Sequence, residues 1–206
     1  MSLTRKSARG RIHQAALRLF AANGSGEVNV SELAQAAGMA RGTVYNNIKD
    51  PEHLYEEVVM AMVEEMHVEI FARMATLTDP AARIAFGLRT FIRRAHEEPD
   101  WGRFVLRFAF NDASLQSLIN APPAVDMLHG VQSGRFTITA RQLNSALGLV
   151  GGAAISAIRL VVDGEKAWRE ASADAIELVL RAVGVATEEA RQLALDEPAS
   201  ILEGQG

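Results

Sequence analysis

The chain has 206 residues, of which 49% are hydrophobic and 22% charged, and this balance excludes disordered, collagen-like and Pro/Gly-rich polymers. It contains no cysteine, which excludes disulfide frameworks, Cys-type zinc sites, iron–sulfur clusters and thiol nucleophiles. Residues 1–50 carry seven basic and three acidic side chains, a local balance of +4, so the net charge of −4 leaves −8 for the remainder. A basic first segment on an acidic body is typical of a polyanion-binding module joined to a domain with another task.

Apolar residues recur at helical spacing along the whole chain, which predicts an all-α fold. The segment between Asn29 and Gly38 begins at a capping box and stops at a glycine, which predicts a short helix there. The other helices are predicted at about 4–22, 40–48, 51–75, 79–97, 100–111, 112–120, 122–134, 139–162, 170–183 and 187–196.

The segment from Asn29 to Ile48 is a helix, a glycine turn and a second short helix. Small residues suit a close helix crossing, Gly38 supplies the left-handed turn, and Val44 fills the angle between the helices. The outward positions of the short helix carry hydrogen-bonding groups, as a recognition helix in the major groove requires. An ordinary helical hairpin with a solvated polar helix is the alternative, and the basic first helix favours DNA binding.

Four motifs carry a resemblance to a known family. They are Ala15-Ala16-Leu17-Arg18-Leu19-Phe20 with Gly24, Leu33-Ala34-Gln35-Ala36-Ala37-Gly38, Gly42-Thr43-Val44-Tyr45, and the apolar Ile48 three residues later. With them the chain resembles the TetR family of bacterial transcriptional regulators, specifically over about residues 12–60 and only architecturally beyond. The resemblance implies a helix-turn-helix DNA-binding domain at 1–50 and a helical effector-binding and dimerisation domain at 51–206.

The resemblance also implies a function: a ligand-responsive, sequence-specific repressor that binds duplex operator DNA and is released by an apolar or amphipathic molecule. The residues expected to contact DNA are Arg5, Arg9, Asn29, Arg41, Gly42, Thr43, Tyr45, Asn46, Asn47 and Lys49. Three departures affect this expectation. Ala40 stands where the family commonly has a capping Ser, Pro51 where it often has a phosphate-binding Lys, and Asn46-Asn47 where basic or aromatic residues are usual.

Aromatic and Met side chains in the second domain are the only clue to an effector pocket. The candidates are Met62, Met66, Trp101, Phe104, Phe108 and Met127, with Phe110 beside them. At helical spacing the same residues fit an ordinary core. The sequence does not identify the effector.

Small and apolar residues after position 139 predict a homodimer through helices 139–162 and 170–183, which in the family form a four-helix bundle. The expected interface residues are Leu147, Gly151, Ala154, Ile158, Ile176, Val179 and Leu180. The uncharged stretch between Arg141 and Arg159 is too short and too polar for a membrane span.

No nucleophile, phosphate-loop or metal-ligand spacing is found in a fitting context, so no catalytic residue, cofactor or metal is expected. The N-terminus shows no secretory signal pattern, so a cytoplasmic location is expected. A helical binding protein or enzyme with an incidental helix-turn-helix stays as the alternative, and the salt dependence of DNA retention separates the two.

Overall fold

The computed structural model describes residues 7–48, 50–74 and 76–196. Within these ranges the chain is helical and has no strand, which confirms the predicted all-α fold. The helices are α1 (Ala8–Asn23), α2 (Val30–Ala37), α3 (Arg41–Asn47), α4 (Leu54–Met74), α5 (Pro80–Glu97), α6 (Pro99–Phe108), α7 (Ala113–Gln132), α8 (Leu143–Val162), α9 (Trp168–Ala182) and α10 (Thr187–Leu195). Short 3-10 turns at Pro51–His53 and Ala140–Gln142 precede α4 and α8.

The boundaries of the first two helices follow from their capping residues. The Ser7 hydroxyl accepts a hydrogen bond from the Gly10 N–H at 3.0 Å and starts α1. The Asn29 side chain accepts from the Ser31 N–H at 2.7 Å and starts α2. Gly24 and Gly38 end these helices with φ of 71° and 64°, values that glycine adopts at no steric cost.

Two hydrophobic clusters form the core of the protein. The boundary between these clusters does not coincide with the predicted domain boundary between α3 and α4. The first joins α1–α3, here called the head, to α4, α6 and parts of α5, α7, α8 and α9, through residues that include Phe20, Leu33, Val44, Met66 and Phe104. The second joins α5 to α7, α8, α9 and α10. The head is therefore packed on the rest of the protein through a shared apolar core.

The region 112–134 differs from the sequence prediction. Two helices were expected, at about 112–120 and 122–134, but the structure has one continuous helix, α7, through Pro122 and Pro123. A proline removes an N–H donor and often ends or kinks a helix. Leu115 and Met127 lie in the two halves of α7, and both are fully buried, so tertiary packing of both halves outweighs the local preference.

The long apolar helix near the C-terminus leaves much of its surface uncovered. The segment Ala140–Val162 extends beyond the uncharged stretch between Arg141 and Arg159 and, contrary to the expectation from that stretch, is long and apolar enough to cross a membrane by length and composition alone, a test that core helices of soluble proteins also pass. Only 33% of its most apolar window is buried within the chain. This helix packs on α9 and the second cluster with one face and leaves the other open.

Candidate nucleic-acid interface and effector domain

The recognition helix α3 is anchored by two apolar residues and exposes the others. Val44 and Ile48 are buried in the first cluster. Tyr45 is 59% exposed, and the other exposed positions of α3 are Arg41, Gly42, Thr43 and Asn46. The helix therefore presents a guanidinium, two hydroxyls and an amide on one surface.

Two of the predicted DNA-contacting residues have partners inside the head. The Asn47 side chain donates to the Thr43 carbonyl at 2.8 Å and is half-buried. The Asn29 side chain caps α2. Both side chains thus stabilise helices of the helix-turn-helix motif. Arg5 and Lys49 lie outside the described residues.

The N-terminus of α3 has no side-chain cap. Ala40 makes no capping hydrogen bond, as expected from the absence of a hydroxyl at this position.

At the junction that precedes α4, Asp50 accepts from the Glu52 N–H at 2.9 Å and lies 3.0 Å from the His53 ring. These hydrogen bonds, first to the backbone and then to His53, lower the pKa of Asp50, and the Asp50 carboxylate raises the pKa of His53.

A charged contact joins α1 to α4 beside the recognition surface. Arg9, whose side chain is 45% exposed, donates from Nη2 to Glu57 Oε2 at 2.8 Å. His13 Nε2 lies 3.8 Å from the same oxygen. His13 is buried, and neither ring nitrogen has a hydrogen-bond partner in the described part of the chain. Burial, and then the charge of Arg9, lower the pKa of His13.

Four aromatic rings connect the head to α6. Tyr55 at the start of α4 lies 5.4 Å from Phe20 of α1, 5.8 Å from Phe104 and 5.3 Å from Phe108. Burial, and then the nearby Asp112, raise the pKa of the Tyr55 hydroxyl well above its ordinary value. Two residues predicted for the effector pocket, Phe104 and Phe108, therefore pack where α6 meets the head.

A cation of α6 also faces the head. The Arg107 guanidinium lies across Gly24 at the end of α1, so closely that a Cβ at Gly24 would stand 2.0 Å from Nη2. A positive charge near a helix C-terminus is favourable because the backbone carbonyls there are unpaired. Glycine at position 24 thus allows both the left-handed turn that ends α1 and the close approach of the Arg107 side chain from α6.

The remaining effector candidates are divided between the two clusters. Met62, Met66 and Trp101 belong to the first, and Met127 belongs to the second. Phe110 is largely exposed and does not line the interior.

Trp101 is the candidate with an unusual environment. It is 1% exposed, with the Phe91 ring 4.8 Å away and the Arg94 guanidinium 5.4 Å from its ring centre. Arg94 donates to Glu65 of α4 at 2.8 Å. The indole Nε1 has no hydrogen-bond acceptor among the described residues. A buried donor of this kind favours a ligand that brings an acceptor.

The seven predicted dimer residues lie toward the interior of the chain. Six of them are buried, namely Gly151, Ala154, Ile158, Ile176, Val179 and Leu180, and Leu147 is half-buried. Ala154, Ile176, Val179 and Leu180 belong to the second cluster with Leu147 packed against it, and Ile158 belongs to the first. The open surface of the same helices carries other residues, among them Gly148, Leu149 and Leu178.

Sequence reasoning missed Glu57, His13 and Tyr55. Periodicity assigns them to helices but does not reveal that α1 and α4 bring a carboxylate, an imidazole and a guanidinium together. The described residues contain no group of three or more His, Asp or Glu side chains that fits a metal ion.

Comparison with known families decides the classification. The family model "Bacterial regulatory proteins, tetR family" matches residues 12–58, and the model "Tetracyclin repressor-like, C-terminal domain" matches residues 79–195. The chain belongs to the TetR family. This confirms the resemblance predicted from the motifs and places the chain among transcriptional regulators rather than enzymes.

Individual TetR-family relatives agree with this assignment. RolR in complex with resorcinol is 29% identical, with a TM-score of 0.66 over 96% of this chain and 97% of that one. A putative tetR family regulator from Shewanella is 18% identical, with a TM-score of 0.70 over 88% of this chain and 100% of its own, and shows the shared fold. An HTH-type transcriptional regulator of Mycobacterium tuberculosis is 30% identical over 89 residues, 43% of this chain. The match thus spans 44% of the length of that relative.

Proposed function

We propose that this protein is a ligand-responsive, sequence-specific DNA-binding regulator that represses transcription. We also propose that it is cytoplasmic. The observation that carries the proposal is the polar surface of α3, with Tyr45 and Asn46 exposed on a helix anchored by Val44. In a helix-turn-helix, such a helix lies in the major groove, and basic groups beside it contact phosphates. Family membership supports the same interpretation.

Selection of duplexes from a random pool, followed by affinity measurements, tests DNA binding. We expect Asn46→Ala to change the preferred sequence, because an Asn side chain pairs with adenine N6 and N7. Arg9→Ala is expected to weaken all duplexes alike and to reduce the salt slope by about 0.9 for each bound protomer, since each phosphate contact contributes that amount. If both variants bind the selected duplexes like the parent, the assignment of these residues is wrong.

A small hydroxylated aromatic compound is the effector class that we propose. The relative RolR binds resorcinol, and its 29% identity extends over nearly the whole chain. Trp101 of α6 is buried in the first cluster with an N–H that lacks an acceptor among the described residues. Arg94 beside it is already paired with Glu65, so a neutral oxygen suits this environment better than a carboxylate.

Resorcinol and related neutral phenols are therefore the first probes. Titration into the Trp168→Phe variant, in which Trp101 is the only tryptophan, should change its fluorescence, and Trp101→Phe should weaken binding. Because binding linkage is reciprocal, a phenol that releases DNA must bind less tightly in the presence of operator, by the same factor. Equal phenol affinities with and without operator would show that the compound is not an inducer.

We further propose a homodimer in which the open surface of α8 and α9 meets its symmetry-related copy. A Cβ at Gly148 or Gly152 of α8 would meet no atom within 4 Å, and Leu149 of α8 and Leu178 of α9 are exposed. Small residues allow two helices to approach, and exposed leucines supply apolar area for a stable interface. This surface replaces the more buried residues predicted from the sequence.

Sedimentation tests the dimer. Leu178→Glu places a charge in the proposed interface and should shift the protein toward the monomer. Met60→Glu is the control, because Met60 is similarly exposed but lies on α4. A parent protein that is monomeric at micromolar concentration, or equal behaviour of the two variants, would contradict the proposal.

A further inference from the structure

The carboxylate of Glu57 contacts the arginine to which phosphate binding is assigned. Arg9 lies in the first turn of α1, and its Nη2 donates to Glu57 Oε2 at 2.8 Å. The Glu57 side chain is 23% exposed and that of Arg9 is 45% exposed. The guanidinium is thus accessible to a DNA backbone while it is paired with a protein anion.

His13 does not compete with Arg9 for the Glu57 carboxylate. His13 Nε2 is 3.8 Å from the same carboxylate oxygen, beyond hydrogen-bond distance. The groups that act on His13 are Arg9 of α1 and Glu57 and Glu65 of α4, and its burial disfavours the charged imidazolium. Arg9 is therefore the closer cationic partner of Glu57.

A DNA phosphate and the Glu57 carboxylate are both anions that bind a guanidinium through charge-assisted hydrogen bonds. When a phosphate approaches Arg9, the carboxylate either gives up its bond or remains close to a like charge. In both cases part of the attraction between Arg9 and DNA is offset.

We propose that Glu57 is a built-in competitor of DNA phosphate for Arg9 and thereby lowers the affinity of the head for DNA. The inference rests on the proposed DNA-binding function. Glu57 lies on the same helix as Met62 and Met66, which pack in the core shared with α6.

Two neighbouring glutamates allow a matched comparison. Glu57→Gln and Glu56→Gln remove the same charge from the same helix, but Glu56 is exposed and is not the partner of Arg9. Relative to Glu56→Gln, we expect Glu57→Gln to bind duplex DNA about 1.5- to 5-fold more tightly, the range of a solvent-exposed ion pair. The gain should be equal for selected operator and unrelated duplex, because phosphate contacts carry no sequence information.

A double variant identifies the residue through which Glu57 acts. In an Arg9→Ala background, Glu57→Gln and Glu56→Gln should have equal effects on DNA affinity. Thermal unfolding of each variant confirms that the fold is retained. The proposal is overturned if Glu57→Gln binds no more tightly than Glu56→Gln, or if the gain persists without Arg9. If the parent binds no duplex at any salt concentration, the proposed function fails first, and this inference fails with it.

Discussion

Replacement of His13 by leucine is expected to stabilise the protein. His13 is 8% exposed, and neither ring nitrogen has a partner in the described part of the chain. A buried polar group without a hydrogen bond costs about 1–3 kcal/mol, and leucine has a similar size without polar atoms. We therefore expect His13→Leu to raise the free energy of unfolding at pH 7.5 by about 1–2 kcal/mol. For a chain of this length, each 1 kcal/mol corresponds to a rise in Tm of about 2–4 °C.

The same substitution should reduce the loss of stability in acid. The pKa of His13 in the folded protein lies below the ordinary value of 6.5. As the pH falls through 6.5, the unfolded state therefore takes up a proton before the folded state does, and the parent loses stability. Leucine does not titrate, so the stability difference between His13→Leu and the parent should grow as the pH decreases.

Urea unfolding at pH 7.5, 6.5 and 5.5, at a fixed protein concentration, measures both effects. Concentration is held constant because dimerisation contributes to apparent stability. His129→Gln is the control, since His129 is exposed. The reasoning is refuted if His13→Leu destabilises the protein at pH 7.5, or if its advantage over the parent does not increase toward pH 5.5.

Three further substitutions test single structural features by thermal unfolding. Gly38→Ala should cost about 1–2 kcal/mol, because its φ of 64° is unfavourable for a residue with a Cβ; no loss would contradict the assigned turn. Asp126→Ala should cost about 3–5 kcal/mol, because Asp126 is 3% exposed and pairs with Arg83; a loss below 1 kcal/mol would show that the pair is dispensable. Arg89→Met should cost about 2–4 kcal/mol, because the buried guanidinium donates to two carbonyls at the end of α10 at 2.8 Å; an unchanged Tm would show that α10 docks without it.

The head was predictable from the sequence because its signals are local. Asn29 and Gly38 fix the ends of α2 through hydrogen bonds and a backbone conformation that depend on near neighbours. Val44 was placed correctly in the core for the same reason, since a short helix after a tight turn has one possible buried face. The other polar residues of α3 face outward as predicted, except Asn47, which is half-buried and bonds to the Thr43 carbonyl.

The second domain was less predictable because its packing is non-local. Two helices were predicted at about 112–120 and 122–134, but tertiary packing holds this region as the single helix α7. On α8, apolar and small residues surround the helix, so periodicity alone does not show which face meets α9 and which meets solvent. Ala154 and Ile158 were expected in a dimer interface, yet they fill the core of the single chain, whereas Leu149 on the same helix is exposed.

The placement of Phe104 and Phe108 changes how an effector signal is expected to reach DNA. The sequence analysis assigned both residues to an effector pocket. In the structure these two rings of α6 contact Tyr55 of α4, and Phe104 also lies 6.4 Å from Phe20 of α1. Packed aromatic rings have little free volume and cannot move independently. A displacement of α6 beside Trp101 therefore acts on α1 and α4 together, and the head responds through its own core as well as through the first turn of α4.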